Sequence, residues 1–333
     1  MDFVIETKNL TKKYGELTAV DSLNINVKEG EIFGFLGPNG AGKTTTISML
    51  CTILKPTAGT AIVNGFDITK QRSQVRKSIG IVFQDPSLDD RLTGIENLKI
   101  HSGLYGVPRD EREKRIEEVL EIVELKERAK SIVRTYSGGM KRRLEIARGL
   151  IHYPKVLFLD EPTLGLDPQT RTHIWDYIRK LAKREKITIM LTTHYMEEAD
   201  ELCDRIAIID AGKIITLDTP INLKNSLEGD LITIDCKDTK ECNSTNTLAE
   251  LFKKLDFVSN VKTMDGKLNL YVKNGETAIP KILDLARENN INIHSIGVRK
   301  PTLNDVFIKY TGREIREENV DGKEAMKAMF RGR

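Results

Sequence analysis

The 333 residues carry 52 Lys and Arg against 49 Asp and Glu, a formal net charge of +3 spread without long single-sign blocks, so charge gives no case for a nucleic-acid partner. No apolar run reaches the ~18–20 residues needed to span a bilayer, and the opening MDFVIETKNL lacks the apolar core of a secretory leader, so the expected location is the cytoplasm. The length suits one large domain or a large and a small one, and the four cysteines, Cys51, Cys203, Cys236 and Cys242, form no CxxC pair, which favours free thiols over a zinc site or disulfides.

In chain order, FVIETKNL and SLNINVKE read as strands, and EIFGFLG is a third that runs into GPNGAGKTTT, beginning at Gly37. Behind it, TISMLCTIL has helical spacing. Gly37, four residues, then Gly42, Lys43 and Thr44 is the spacing of a phosphate-binding loop. Such a loop must let backbone amides converge on one anion, and residues without a Cβ, here Gly40 and Gly42, allow the positive φ angles that this requires. Lys43 would place an ammonium among the phosphate oxygens and Thr44 a hydroxyl on a magnesium ion, while the helix start aims its positive end at the same charge. An ordinary glycine turn between strand and helix is the alternative.

TAIVNG and SIGIVFQ are the next strands, ending at Gln84. From there to Val156 the pattern changes: GIENLKIHSGLYG, RDEREKRIEEVLEIVELKERA and MKRRLEIARGLIH all read as helices, which makes a helical insert of about residues 85–150. Within it, Ser137, Gly138 and Gly139 form a second small-residue nest opening a helix, with Leu144, Ala147 and Ile151 on its buried face and basic residues on the other. Alone this is a plain helix start. One nucleotide has one triphosphate, so the economical reading is a nest serving the γ-phosphate bound to another copy of the chain.

VLFLDEP then delivers Asp160 and Glu161 to the C-terminal end of an apolar strand, where ligands bind in open α/β sheets. By themselves the two would be a helix cap or a solvated turn. With a phosphate loop upstream, Asp160 would hold the magnesium directly or through water, and Glu161 would act as general base on the attacking water. Asp167 and Pro168 read as a cap and first-turn proline, and Ile174, Ile178 and Leu181 carry a helical stripe to about Lys183. ITIMLTTH, RIAIID and KIITLD follow as strands, the last two around Asp210-Ala211-Gly212. This alternation argues for a mainly parallel α/β sheet.

After Pro220, NLKNSLEGD reads as a linker. LITIDC, NTLAELFKKL, VSNVKTM, KLNLYVK, TAIPKILDLAREN and INIHSIGV then give the order β-α-β-β-α-β of a small ferredoxin-like unit. From Arg313 the chain mixes charges with few apolar residues and reads as a partly disordered tail.

Taken together, the phosphate loop, Gln84 after a strand, SGG ahead of the acidic strand, Gly165-Leu166-Asp167 beyond it and His194 at the tip of ITIMLTTH resemble the ATP-binding subunit of an ABC transporter, over roughly residues 1 to 222. The resemblance implies an α/β P-loop NTPase with an N-terminal antiparallel β subdomain and the helical insert, then a small α+β domain over 223–312 and the charged tail 313–333. It implies that Tyr14, otherwise a cross-strand aromatic of a hairpin, stacks on adenine, and that Gly37, Pro38, Asn39, Gly40, Ala41, Gly42, Lys43, Thr44 and Thr45 wrap the phosphates. Gln84 would reach the magnesium and the attacking water, completing a metal set with Thr44 and Asp160. Asp167 would join the dimer contact. His194, otherwise a polar loop residue, would hydrogen-bond the γ-phosphate and act with Glu161 and Lys43 in catalysis.

The signature acting in trans would be Tyr136, Ser137, Gly138, Gly139 and Met140, where leucine and glutamine more commonly flank SGG. That variant is similar to the exporter branch with daunorubicin-resistance-type and nodulation-type subunits, as is the ending KPTLNDVFIKYTGREI, which implies an ABC-2 exporter. The expected activity is ATP hydrolysis with ATP and Mg2+ as cofactors. Two chains would lie head to tail, and Glu161 and the signature in one chain would give a homodimer two competent sites. Partners would be separate membrane-spanning permease subunits, contacting the insert near Gln84 and holding the chain on the inner face of the cell membrane; no nucleic acid is expected. A soluble ABC-type ATPase acting on nucleic acid or ribosomes is the alternative, without the long coiled coils, zinc modules or second cassette such proteins usually add. A P-loop kinase or GTPase would leave SGG, Glu161 and His194 without a shared purpose, and no NKxD motif is present.

Overall fold

The run Ile32–Leu36 is buried at every residue, as a strand covered on both faces must be, and so are Val156–Asp160 and Thr188–Thr193. These runs form the middle of a parallel sheet in a computed structural model that describes residues 3–227, 229–235, 249–264, 267–289 and 293–312. The chain divides into two compact units between Leu217 and Asp218.

The strands of the first unit are β1 (Phe3–Tyr14), β2 (Leu17–Leu23), β3 (Asn26–Lys28), β4 (Ile32–Leu36), β5 (Ala58–Val63), β6 (Phe66–Asp67), β7 (Ile79–Val82), β8 (Val156–Asp160), β9 (Thr188–Thr193), β10 (Arg205–Asp210) and β11 (Lys213–Asp218). The main sheet is six-stranded, in the order β11-β10-β4-β9-β8-β7, with β10, β4, β9, β8 and β7 mutually parallel. Ala211 at φ 46° and Gly212 at φ 78° make the expected tight turn into β11. A second sheet, β2-β1-β5-β6 with β3 also on β1, is antiparallel throughout and is the N-terminal β subdomain.

One expected strand in that sheet is two. SLNINVKE divides between β2 and β3 because buried Thr7 of β1 fills the gap in the ladder: its hydroxyl donates to Leu23 O (2.8 Å) and accepts from Ile25 N (2.9 Å).

The helices before the second unit are α1 (Lys43–Leu50), α2 (Arg72–Ser78), α3 (Gly94–Leu104), α4 (Arg112–Ile122), α5 (Gly138–Leu150), α6 (Pro168–Glu185) and α7 (Met196–Leu202). Of these, α3, α4 and α5 make the expected insert. A Thr93–Glu96 capping box opens α3. The single helix expected over 109–129 ends instead at Ile122. Glu124 takes φ 54°, Glu124 N donates to Glu121 O (3.1 Å) and Leu125 N to Leu120 O (2.9 Å), and buried Leu120 and Leu125 close the end. This is a Schellman stop with glutamate where glycine is usual.

The insert also holds a pH-sensitive group. Burial pushes the His101 imidazole of α3 down from 6.5 to about 4, with the Arg148 guanidinium adding to the shift. The folded-state value lies below the unfolded one, so the unfolded chain binds more protons between them and stability falls as pH drops from 6.5 toward 4. In thermal melts from about pH 7 to about pH 5, His101→Gln is therefore expected to lose less melting temperature than the parent.

The second unit contains α8 (Pro220–Asn225), β12 (Asp230–Asp235), β13 (Val258–Met264), β14 (Lys267–Val272), α9 (Gly275–Glu288), β15 (Ser295–Arg299) and α10 (Leu303–Thr311). Its sheet order is β13-β14-β12-β15, antiparallel at every pairing, which is the ferredoxin-like arrangement. Ile232, Ile234, Phe252, Leu268 and Leu270 form its core against Ala278 and Ile282 of α9. Of the expected helix NTLAELFKKL, residues 249–252 are helical and 246–248 lie outside the described residues. The supposed linker begins as α8, because Thr219 caps it through Asn222 N (3.2 Å) and Pro220 occupies its first turn. A Thr302–Asp305 capping box starts α10, and Arg299 grips the same Asp305 with both arms. Cys236, Cys242 and the tail from Arg313 lie outside the described residues; Cys51 and Cys203 are buried free thiols.

Candidate functional site

The chain leaves β4 through a loop that only glycine permits at two points. A Cβ on Gly37 would sit 2.1 Å from Ile209 O, and one on Gly42, at φ 101°, would sit 2.4 Å from Ala19 O. Gly40 also turns through positive φ, at 79°. Gly42 is the N-cap of α1, so no side chain bonds the first-turn amides, and no carboxylate stands in that turn. The result is a positive helix end that no side chain shields.

Three neighbouring strand ends bring the charged groups together there. Lys43, 5% exposed, donates to Gly37 O (2.8 Å) and Pro38 O (3.1 Å) and lies 3.3 Å from Glu161 Oε1. Burial lowers the pKa of its ammonium, against the pull of Glu161. From β8, Asp160 accepts at Oδ1 from Thr44 (3.2 Å) and from Thr192 of β9 (2.5 Å). Burial holds its carboxyl above the ordinary value in spite of both hydroxyls. Thr44 Oγ1 and Asp160 Oδ1 are adjacent hard oxygens, the donor type that Mg2+ takes while keeping waters and phosphate oxygens in its other positions, so these residues fit the ion.

Glu161 follows in the left-handed region, φ 46°, with its amide donating to Thr192 Oγ1 (3.1 Å). A non-glycine residue in this conformation is held there by its surroundings, at a cost of about 1–3 kcal/mol. His194, after β9, places Nδ1 3.2 Å from Glu161 Oε2 without the alignment of a hydrogen bond, and that nitrogen has no other partner among the described residues. Burial raises the Glu161 carboxyl, but His194 and Lys43 outweigh it and leave the pKa below its ordinary value. Glu161 is thus a buried, ionised carboxylate at neutral pH.

Other expected residues lie around this centre. Tyr14, half-buried at the end of β1 and paired with Leu17, has the Thr45 hydroxyl beside its phenol and Lys12 Nζ 5.0 Å from its ring centre. Gln84 is exposed just beyond β7, at the same end of the main sheet. Asp167 caps α6, accepting from Thr170 N (3.0 Å) and Thr170 Oγ1 (2.6 Å). Asn39 and Pro38 complete the loop.

The second nest stands apart. Ser137 and Gly138 are exposed, Ser137 Oγ caps α5 through Met140 N (3.3 Å), and buried Tyr136 donates to Arg128 O (2.7 Å). Gly139 packs so close to α6 that a Cβ would lie 2.6 Å from Thr170 Cγ2. Among the described residues no hydrogen bond or ion pair joins Ser137–Met140 to the phosphate loop. One chain therefore carries two small-residue helix starts, at Gly42 and at Ser137, with no such bond between them among the described residues.

Leu144, Ala147 and Ile151 are buried as expected, but the basic residues of α5 are not all solvated: Arg142 and Arg148 are each 7% exposed and Glu145 is 2% exposed. Sequence periodicity missed them because their partners are largely backbone carbonyls, which leave no residue signature. Thr192, which holds both Asp160 and the Glu161 amide, was missed because those partners lie 32 and 31 residues away along the chain.

Comparison with known proteins extends this geometry. A family model described as "ABC transporter" matches residues 20–164, and one described as "ATP-binding protein DrrA1-3-like, C-terminal domain" matches 219–311. The chain is 39% identical to the linearmycin resistance ATP-binding protein LnrL of Bacillus subtilis, over 94% of this chain and 100% of that protein. It is 37% identical to the daunorubicin resistance ATP-binding protein DrrA2 of Streptomyces coeruleorubidus, over 97% and 99%. The Nod factor export ATP-binding protein I of Cupriavidus metallidurans is 39% identical, over 95% and 100%. Among solved structures, cbiO1 of Clostridium perfringens, part of the ABC transporter complex cbiONQ, aligns with a TM-score of 0.63 at 28% identity, covering 77% of this chain and 96% of that one. The ATP-binding cassette MJ0796, as a post-hydrolysis dimer bound to ADP and Pi, aligns at 0.58 and 30% identity, covering 65% and 98%.

Proposed function

Because the chain belongs to the ABC transporter ATP-binding family, we propose that its two separated nests work between copies, each ATP lying between the phosphate loop of one chain and Ser137–Met140 of the other. The chain is an ATPase, the ATP-driven motor subunit of a drug-resistance or export transporter. The observation that carries the site assignment is Glu161: ionised, buried, and set between Lys43 and His194.

In this reading the amides of Gly40–Thr45 and the Lys43 ammonium bind the phosphates, and Tyr14 stacks on adenine. Glu161 accepts the proton of the attacking water. His194 donates toward the γ-phosphate, and Gln84 orients the same water. The partner's SGG nest neutralises the far side of the γ-phosphate, so neither chain alone completes the transition-state cradle. Thr44 and Asp160, with Gln84, would hold Mg2+, and the ion would supply charge neutralisation to the bound phosphates. Asp167 lies at the contact between chains.

Residues up to Leu217 are read as the ATPase domain and those from Asp218 to 312 as an accessory domain, since the expected division at 222/223 would cut α8. No helix among the described residues is long and apolar enough to cross a membrane, so the pore is assigned to separate permease subunits that dock on the insert near Gln84 and hold the motor at the inner membrane face. The relatives named for linearmycin and daunorubicin resistance and for Nod factor export support an ABC-2 exporter. Affinity purification of the full chain from native membranes is expected to recover a polytopic partner. Recovery with ribosomes or DNA alone would overturn the exporter assignment.

A further inference from the structure

One buried cation of the insert has no part in the chemistry above. Arg142 stands five residues past Ser137 on α5, 7% exposed, and every arm of its guanidinium is engaged. Nε donates to Pro162 O (2.8 Å), Nη2 to Asp160 O (2.9 Å) and Glu161 O (3.2 Å), and Nη1 to Phe83 O (2.6 Å) and Glu145 Oε2 (2.9 Å). A single side chain thus holds three successive carbonyls of the turn that displays Asp160 and Glu161, together with the carbonyl immediately before Gln84. Glu145 in turn accepts from Ser87 N (2.9 Å), and Arg148 donates to Ser87 O (3.2 Å) and to Ser87 Oγ. The helix whose N-terminus is the exposed nest is therefore tied at one end to the strained Glu161 turn and along its length to the Gln84 loop.

We infer that Arg142 is a positioning residue that couples the two ATP sites of the dimer: occupation of this chain's nest by the partner's nucleotide moves α5, and the guanidinium carries that movement to this chain's own Glu161 and Gln84. The inference rests on the two-chain site proposed above. Its physical basis is that five residues of helix span only ~7.5 Å of rigid backbone, and that a planar fork can hold several carbonyls at fixed angles where a lysine ammonium is a point charge on a flexible stem. The Glu161 turn is one that its surroundings must hold in place, and Arg142 supplies much of that hold. Coupling of this kind is reciprocal, so each site would sense the other.

The test uses the full chain. Steady-state ATP hydrolysis is measured against ATP concentration for the parent, Arg142→Lys, Arg142→Gln and Glu145→Gln, with thermal melts on each and ATP-driven dimerisation in the Glu161→Gln background. The parent's Hill coefficient is expected to exceed 1 and approach about 2, the number of sites. In Arg142→Gln it falls to about 1 and kcat drops by about 10²-fold, the scale of an ångström-sized misplacement of a catalytic group, while half-saturating ATP stays within about threefold. Arg142→Lys falls between the two, and Glu145→Gln, which keeps the fork on the carbonyls but leaves one acceptor oxygen where Arg142 Nη1 and Ser87 N had one each, loses less than Arg142→Gln. A merely architectural arginine would lower the melting temperature and the active fraction and leave the Hill coefficient where it was. A cooperative, dimerising parent whose Arg142 variants keep its Hill coefficient and kcat overturns the coupling alone. A parent that hydrolyses ATP as a non-cooperative monomer overturns the two-chain site and the coupling with it.

Discussion

Glu161→Gln is expected to lower ATP turnover by about 10²–10⁴-fold, the usual contribution of a positioned general base, while ATP still binds and a stable ATP-bound dimer accumulates. The substitution keeps the side chain's shape and leaves the strained turn held by Thr192 and Arg142, so the loop, Lys43 and Asp160 stay in place. What disappears is the carboxylate that Lys43 and His194 keep ionised. Without it the water is not deprotonated, and the charge bridge that ATP makes between two nests is not broken. Phosphate release and light scattering with ATP and Mg2+ check the two halves separately. Turnover within about twofold of the parent would remove Glu161 from the role of base. The pH dependence has a definite sign: the folded-state pKa is below the ordinary 4.5, so the base is fully available above that value and is lost only as pH falls through a lower one. Across the neutral range Glu161 gives the rate no slope.

Much of this site is legible in the sequence because its constraints are local. The positive φ of Gly40 and Gly42 and the close approach of Gly37 to Ile209 O demand glycine at fixed spacing, and the fully buried run Val156–Asp160 must end where its first carboxylate appears. The small C-terminal unit is legible for the same reason, as its strands alternate and its helix α9 keeps one apolar face. What is not legible depends on partners far along the chain or on a residue type that hides its conformation. Glu124 ends α4 in a left-handed turn that a glycine would have announced. The break between β2 and β3 is set by Thr7, which lies 18 residues from Ile25. Arg142 and Arg148 sit at helical spacing that looks like a solvated basic face, and only the folded chain reveals the carbonyls waiting for them.

The separation of the nests leads to a sharper expectation, for mixtures of two inactive chains. Lys43→Ala removes the ammonium that lies within the phosphate loop, and Ser137→Arg fills an exposed nest without entering the core, losing only the α5 cap, typically about 1 kcal/mol. Each variant alone is expected to be nearly inactive, because both sites of either homodimer are damaged. In a mixed dimer the damage is not shared evenly: one site combines the Lys43→Ala loop with the Ser137→Arg nest, and the other combines two intact halves. With random pairing, half of the dimers are mixed and each has one working site, so an equimolar mixture should recover up to about a quarter of the parent's rate per chain. The coupling assigned to Arg142 pulls that figure down, since the working site then faces a partner site that cannot close, and recovery well below a quarter but far above either variant is its mark. If the nucleotide were enclosed within a single copy, Ser137→Arg would hydrolyse ATP at the parent's rate and the mixture would show only the average of its components.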